Sequence, residues 1–179
     1  TTSDQSGIDE WKRRVGLEEA ERVLQESSSI GSNVHNALEN YLQDKEWKII
    51  DDGSYISKTS ILILESFINN LINDINEVWG LEAGLILDGL YAGTADCIGV
   101  YEGKESILDF KQSNKPKKVE YIEDYFLQIG AYSLAHNTVY NSNITQGVIL
   151  ICTVDRLFQD FKIEGNELIN FQNLSLIHI

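Results

Sequence analysis

The stretch from Tyr91 to Lys111 constrains the fold most, because it reads as two strands joined by a tight turn. Small, branched and aromatic residues dominate 91–101 and 105–111, and Glu102–Gly103 supplies a two-residue hairpin loop. Such a loop pairs Tyr101 with Lys104, and its register sets Asp96 opposite Asp109, with Cβ atoms roughly 5 Å apart. A four-residue loop keeps that register, whereas a three-residue loop breaks it. Lys111, two places beyond Asp109, points to the same face. Like charges facing each other across strands are destabilising unless something cationic lies between them. Lys111 offers one charge, and a divalent ion would offer two. Behind the site, Gly93, Ala95, Cys97 and Gly99 share the other face and are small, so close packing of a helix is expected there.

Around this hairpin the hydrophobic periodicity predicts helices over 8–27, 33–43 and 59–79. "SSSIGSN" makes a weak break between the first two. The third carries a wide apolar stripe from Ile61 through Leu64, Ile68, Leu71/Ile72 and Ile75 to Val78/Trp79. Strands are expected at 81–87, 145–154 and 157–163, and a strong helix at 119–137. That helix lies between two strands and is therefore a crossover, so the third and fourth strands run parallel with a right-handed connection. The fold class is α/β, a mixed central β-sheet in α-β-β-β-α-β order flanked by helices.

The 179 residues contain no repeat or linker and suit one domain, 1–173. There is no methionine, so the native N-terminus is expected to be missing. "LSLIHI" matches the translation of a common sequencing adapter, and 174–179 are set aside as a non-native tail. No apolar run approaches the roughly 20 residues that span a bilayer. Cys97 and Cys152 sit in apolar strands and read as buried reduced thiols. Two cysteines cannot by themselves supply four-thiolate ligation, so no iron–sulfur cluster is expected.

The net charge of −14 argues against a nucleic-acid partner, but its distribution weakens the objection. Half of the 14 basic residues lie in "WKRR" (11–14) and "KQSNKPKK" (111–118), which contain no acid. Clusters such as Lys115, Lys117 and Lys118 can grip phosphates locally. Elsewhere His35 and Glu39 stand one turn apart on a helix, and Asp124, Gln128 and Tyr132 form a polar stripe on a helix that must pack on the sheet. Glu82 opens the first strand and reaches either the same face or solvent. Carboxylates with little nitrogen favour a hard ion such as Mg²⁺ or Mn²⁺. Taken alone, the Asp96, Asp109 and Lys111 set is equally a structural salt bridge.

Together "WKRRVGLEEA", "GSNVHNALENYL", "GTADCIGVYEGKESILDFKQSNK" and "DYFLQIGAY" resemble the PD-(D/E)xK nuclease superfamily. Within it the RecB-like exonucleases are most similar, those of phages and of mitochondrial genome maintenance in particular. The resemblance covers residues 11–154 in order and spacing, and it implies the restriction-endonuclease-like core. It makes Asp96 and Asp109 metal-binding aspartates, His35 a further metal ligand, and Lys111 the lysine that orients the attacking water. Catalysis would then rest on Asp96, Asp109, Lys111 and His35. Gln128 and Tyr132 would support the site and contact the nucleic-acid backbone, with Glu39 and Glu82 as supporting acids.

The implied activity is metal-dependent exonucleolytic hydrolysis of DNA, single-stranded or at free ends, in replication, recombination or repair. No membrane partner is implied. Abundant Ile, Asn, Lys and Ser suggest an AT-rich genome; a phage source is expected, and it would place the protein in the cytoplasm of a bacterial host. Two alternatives remain on the same residues: a structure-specific endonuclease, and an inactive nuclease-fold interaction module.

Overall fold

The computed structural model describes residues 2–71 and 74–177, so Ile72 and positions 178–179 of the expected tail lie outside the described residues. A five-stranded mixed sheet has its strands in sequence order, β1 (Ile75–Leu87), β2 (Tyr91–Tyr101), β3 (Lys104–Ser113), β4 (Gln146–Thr153) and β5 (Phe158–Glu164). Only the β3–β4 pair is parallel, and helix α4 (Glu123–Tyr140) makes the crossover that this requires. At the β2–β3 hairpin Tyr101 pairs with Lys104, and the tight loop holds Glu102 and Gly103 at φ 48° and 77°. Two successive positive φ values suit a right-twisted hairpin, and the glycine accepts one of them without steric cost.

Two helical layers cover the sheet. On one face α2 (Leu17–Leu42) and α3 (Tyr55–Leu71) bury Ile30, Val34, Leu38, Ile63 and Phe67 against Leu108, Phe110, Val148 and Leu150. On the other, α4 and α5 (Gly165–Ile177) bury Ile122, Phe126, Ile129 and Leu168 against Ile107, Ile149, Ile151 and Ile163. Every residue of β4 is buried, as a central strand sandwiched between helices must be. Each such side chain contributes roughly 1.5–3 kcal/mol by leaving water.

Three boundaries differ from the sequence expectation. The weak break at 27–33 is absent, because Ile30 and Val34 are anchored in the core and packing overrides the poor helix propensity of Ser and Gly. The helical break falls instead at Gly16, whose φ of 92° separates α1 (Thr2–Val15) from α2. The helix expected over 59–79 ends at Leu71, and β1 begins at Ile75. Register shifts at Ile75/Glu77 and Val78/Gly80 disturb the period-two alternation, which leaves a spacing that imitates a helix. Residues 174–177 lie within α5, where Ser175 is buried. Among the described residues no helix is long and apolar enough to cross a membrane.

Candidate metal centre

The β2–β3 ladder follows the expected register down to Cys97 opposite Leu108 and stops one position short of Asp96 and Asp109. The strands part there because the Asp96 carboxylate intervenes: its Oδ2 accepts the Phe110 backbone N–H at 2.7 Å. The two aspartates are therefore not a paired rung, which corrects the expected geometry. They are nonetheless neighbours at the point where β2 leaves β3.

A second irregularity brings in β1. Leu81 pairs with Cys97 and Ala83 with Ala95, which leaves Glu82 and Asp96 between these rungs. Leu81 and Cys97 pack in the α2–α3 core, whereas Ala83 and Ala95 pack in the α4–α5 core. Residues two apart on a regular strand share a face, so both strands switch faces at Glu82 and Asp96. Glu82 shows the local distortion as a φ of 45°, uncommon for a residue with a side chain. The expectation that Gly93, Ala95, Cys97 and Gly99 share one face is corrected accordingly. Gly93 does meet α4: a Cβ there would stand 2.6 Å from the Tyr132 hydroxyl.

His35 reaches this junction from α2. Its Nε2 lies 2.7 Å from the Phe110 carbonyl, which can only accept, so Nε2 carries the proton. Nδ1 then offers its lone pair 3.7 Å from Asp96 Oδ1 and 3.9 Å from Glu82 Oε1. Single donor atoms of His35, Glu82 and Asp96 all lie within 4.8 Å of one another, a spacing that can hold a metal ion. A carbonyl fixing the far nitrogen of the ring is the usual way a ligating histidine is oriented.

Asp109 lies beside this trio. It is buried, its Oδ1 takes the Lys111 ammonium at 2.7 Å, and its Oδ2 is buried without a hydrogen-bond partner. Burial pushes the Asp109 carboxyl up, against the pull of Lys111. Burial alone would depress Lys111, but Asp109 and then Asp96 outweigh it, and the amine is held above its ordinary value as a cation. Asp96 is pushed up to about 6, first by burial and then by the charge of Asp109, with His35, the Phe110 N–H and Lys111 opposing. Like charges crowded out of water, one orphaned oxygen and a fixed imidazole are a donor set that a hard divalent cation fits.

The remaining sequence candidates lie around this centre. Gln128 Nε2 donates to the Tyr132 hydroxyl at 2.8 Å, and Tyr132 packs on β2 at Gly93. Among the described residues no hydrogen bond joins either of them to the acids. Glu39, one turn beyond His35, accepts from Gln43 at 2.8 Å. Asp124 is exposed at the start of α4. Lys115, Lys117 and Lys118 follow β3 in an extended loop, and among the described residues they enter no ion pair. Sequence reasoning placed Glu82 among the less certain supports. Its position between two rungs of β1–β2 makes it a full member of the donor trio, and the only signal for that was an acid at a strand start.

No protein-family model matches the chain. Over 156 residues it is 31% identical to human mitochondrial genome maintenance exonuclease 1, covering 83% of this chain and 44% of that protein. The Xenopus tropicalis protein of the same name is 30% identical over 158 residues, again covering 83% and 44%. The chain thus spans less than half the length of the curated relatives it matches. A crystal structure described as a "Putative exonuclease" from Eubacterium rectale superposes with a TM-score of 0.57 at 10% identity, covering 83% of this chain and 64% of that one. That superposition supports the mixed α/β fold, and the curated relatives, all named exonucleases, support a nuclease family for the chain.

Proposed function

We propose that this chain is the nuclease domain, over residues 1–173, of a metal-dependent exonuclease of the RecB-like PD-(D/E)xK type. It would hydrolyse phosphodiester bonds of DNA, single-stranded or at free ends, in replication, recombination or repair. The carrying observation is the crowding of Asp96, Glu82 and His35 within 4.8 Å, next to the Asp109–Lys111 pair. Asp109 Oδ2, buried and without a protein hydrogen-bond partner among the described residues, is a further oxygen that an ion could engage.

Asp96, Asp109 and His35, with Glu82, would hold Mg²⁺ or Mn²⁺. When bound, such an ion lowers the pKa of a water and neutralises charge at the scissile phosphate. Lys111, kept cationic by Asp109, would orient an attacking water and stabilise charge developing on the phosphate. The Phe110 backbone positions both His35 and Asp96, one through its carbonyl and the other through its N–H. Gln128 and Tyr132 form a hydrogen-bonded unit on α4 that would contact the nucleic-acid backbone.

The test is cleavage of end-labelled single- and double-stranded DNA, with Mg²⁺ or with EDTA, by wild type and Lys111→Ala. A ladder from one end that needs metal and vanishes in the variant supports the proposal. Absence of cleavage by folded wild-type protein in both Mg²⁺ and Mn²⁺ sinks it in favour of an inactive module. Internal cuts in a circular substrate would favour the endonuclease.

A further inference from the structure

The lysine-rich loop after β3 is held more firmly than its composition implies. Gln159 on β5 brackets Lys117, with Oε1 accepting the Lys117 N–H at 2.8 Å and Nε2 donating to its carbonyl at 3.0 Å. A 3₁₀ turn over Val119–Tyr121 follows, where the Tyr121 N–H reaches the Lys118 carbonyl at 3.0 Å. Ile122, fully buried in the α4–α5 core, pins the end of the segment.

What this anchored turn displays is an aromatic ring in water. Tyr121 is 75% exposed, and among the described residues its side chain makes no hydrogen bond or ring contact. Lys115, Lys117 and Lys118 precede it by six, four and three residues, and among the described residues none of them enters an ion pair. The turn leads directly into α4, whose Tyr125 ring sits 5.4 Å from Lys111 Nζ. An exposed aromatic face on an anchored turn, with lysines close by in sequence, is the combination that binds unpaired nucleotides: the ring stacks a base and the ammonium groups meet phosphates. Bases in a duplex are stacked on each other and present no open face to it.

We propose that Tyr121 is a stacking platform for an unpaired base, with Lys115, Lys117 and Lys118 on the flanking phosphates, which selects single-stranded over duplex DNA. The inference rests on the nuclease reading for the direction in which the strand runs to the centre, but its binding test does not. Fluorescence anisotropy with labelled oligothymidylate and with a duplex of equal length, in EDTA to prevent cleavage, measures both affinities.

Tyr121→Ala should weaken oligothymidylate binding roughly 5- to 150-fold, Tyr121→Phe should stay within about twofold, and duplex affinity should hold. Lys118→Ala should weaken both ligands and flatten the salt dependence by about one unit of slope. Tyr121 is a surface residue, so the unfolding midpoint of Tyr121→Ala should match wild type. Equal oligothymidylate affinity for Tyr121→Ala and wild type, equal losses on the duplex, or no wild-type binding overturns the platform. Cleavage in Mg²⁺ then separates the two ideas. Binding as expected without cleavage sinks the nuclease reading and leaves the platform, whereas cleavage with an indifferent Tyr121 does the reverse.

Discussion

In the metal-free protein Asp96 should be a liability that Asp96→Asn relieves. Its carboxyl, ordinarily near 3.8, is pushed up to about 6 by burial and by Asp109. Between those values the folded state holds a proton that the unfolded state has lost, so this group favours folding fully below pH 3.8 and less as pH rises through 6. A gap of about two units corresponds to ~3 kcal/mol lost at neutral pH. Asn keeps an oxygen for the Phe110 N–H and puts an amide where Oδ1 lay, 3.7 Å from the His35 lone pair. The exchanged hydrogen bond is weaker for lacking charge, so the net gain should be ~1–3 kcal/mol at pH 7.5.

Urea unfolding in EDTA should therefore show a midpoint higher by about 0.3–1.5 M in the variant, taking an m-value of ~2–3 kcal/mol/M. At pH 4.5 the gain should shrink towards zero. With saturating Mg²⁺ the order should reverse, because an ion at about 1,000 times its Kd adds ~4.1 kcal/mol to wild type alone, more than the variant gains. A variant no more stable than wild type at pH 7.5 in EDTA, or a gain that ignores pH, would refute the reasoning.

Other perturbations separate the neighbouring groups. Lys111→Ala should lower turnover by ~10²–10³-fold, and should also destabilise the metal-free fold by ~3 kcal/mol at neutral pH by stranding Asp109, less in acid, as urea titration at two pH values would show. Glu82→Gln should cost Mn²⁺ affinity ~10-fold with little change in stability, since the side chain is 45% exposed; calorimetric titration measures the affinity and urea unfolding the stability. In wild type the same titration should weaken as pH falls below about 6, because protons compete for Asp96. Gly93→Ala would set a Cβ 2.5 Å from the Tyr132 ring and should cost ~1–3 kcal/mol by thermal melting, with loss of cleavage if Tyr132 supports the substrate.

The hairpin was legible in the sequence because a two-residue loop leaves one register, and the structure follows it from Tyr101–Lys104 to Cys97–Leu108. The crossover and parallel β3–β4 pair were legible because one helix lay between two apolar strands. What escaped was each place where a side chain overrides the backbone pattern. Asp96 takes a ladder donor for its own carboxylate, so the rung it was expected to form does not exist. The face switch at Glu82 leaves no mark in a period-two reading, since it needs a left-handed residue that propensity assigns to glycine. The anchoring of the lysine loop depends on Gln159, 42 residues away in sequence.

The first two of these departures, at Asp96 and Glu82, fall at one place, and their coincidence bears on function more than any single residue does. A regular β1–β2–β3 sheet would separate His35 on α2 from Lys111 and Tyr125 on the α4 side by the thickness of the sheet. Parting β2 from β3 and reversing β1 and β2 opens that layer locally, so that groups from both faces reach one point. The departures are costly: Glu82 in a left-handed conformation, a missing rung, and carboxyls raised by burial and crowding. Packing of Leu81 and Cys97 in one core and of Ala83 and Ala95 in the other offsets the backbone distortion, whereas the crowded charge would be offset by a divalent cation that engages the orphaned Asp109 oxygen. Like charges crowded out of water beside an unengaged carboxylate oxygen are the pattern of a binding centre, and the reversal expected for Asp96→Asn with and without Mg²⁺ measures the charge part of that cost.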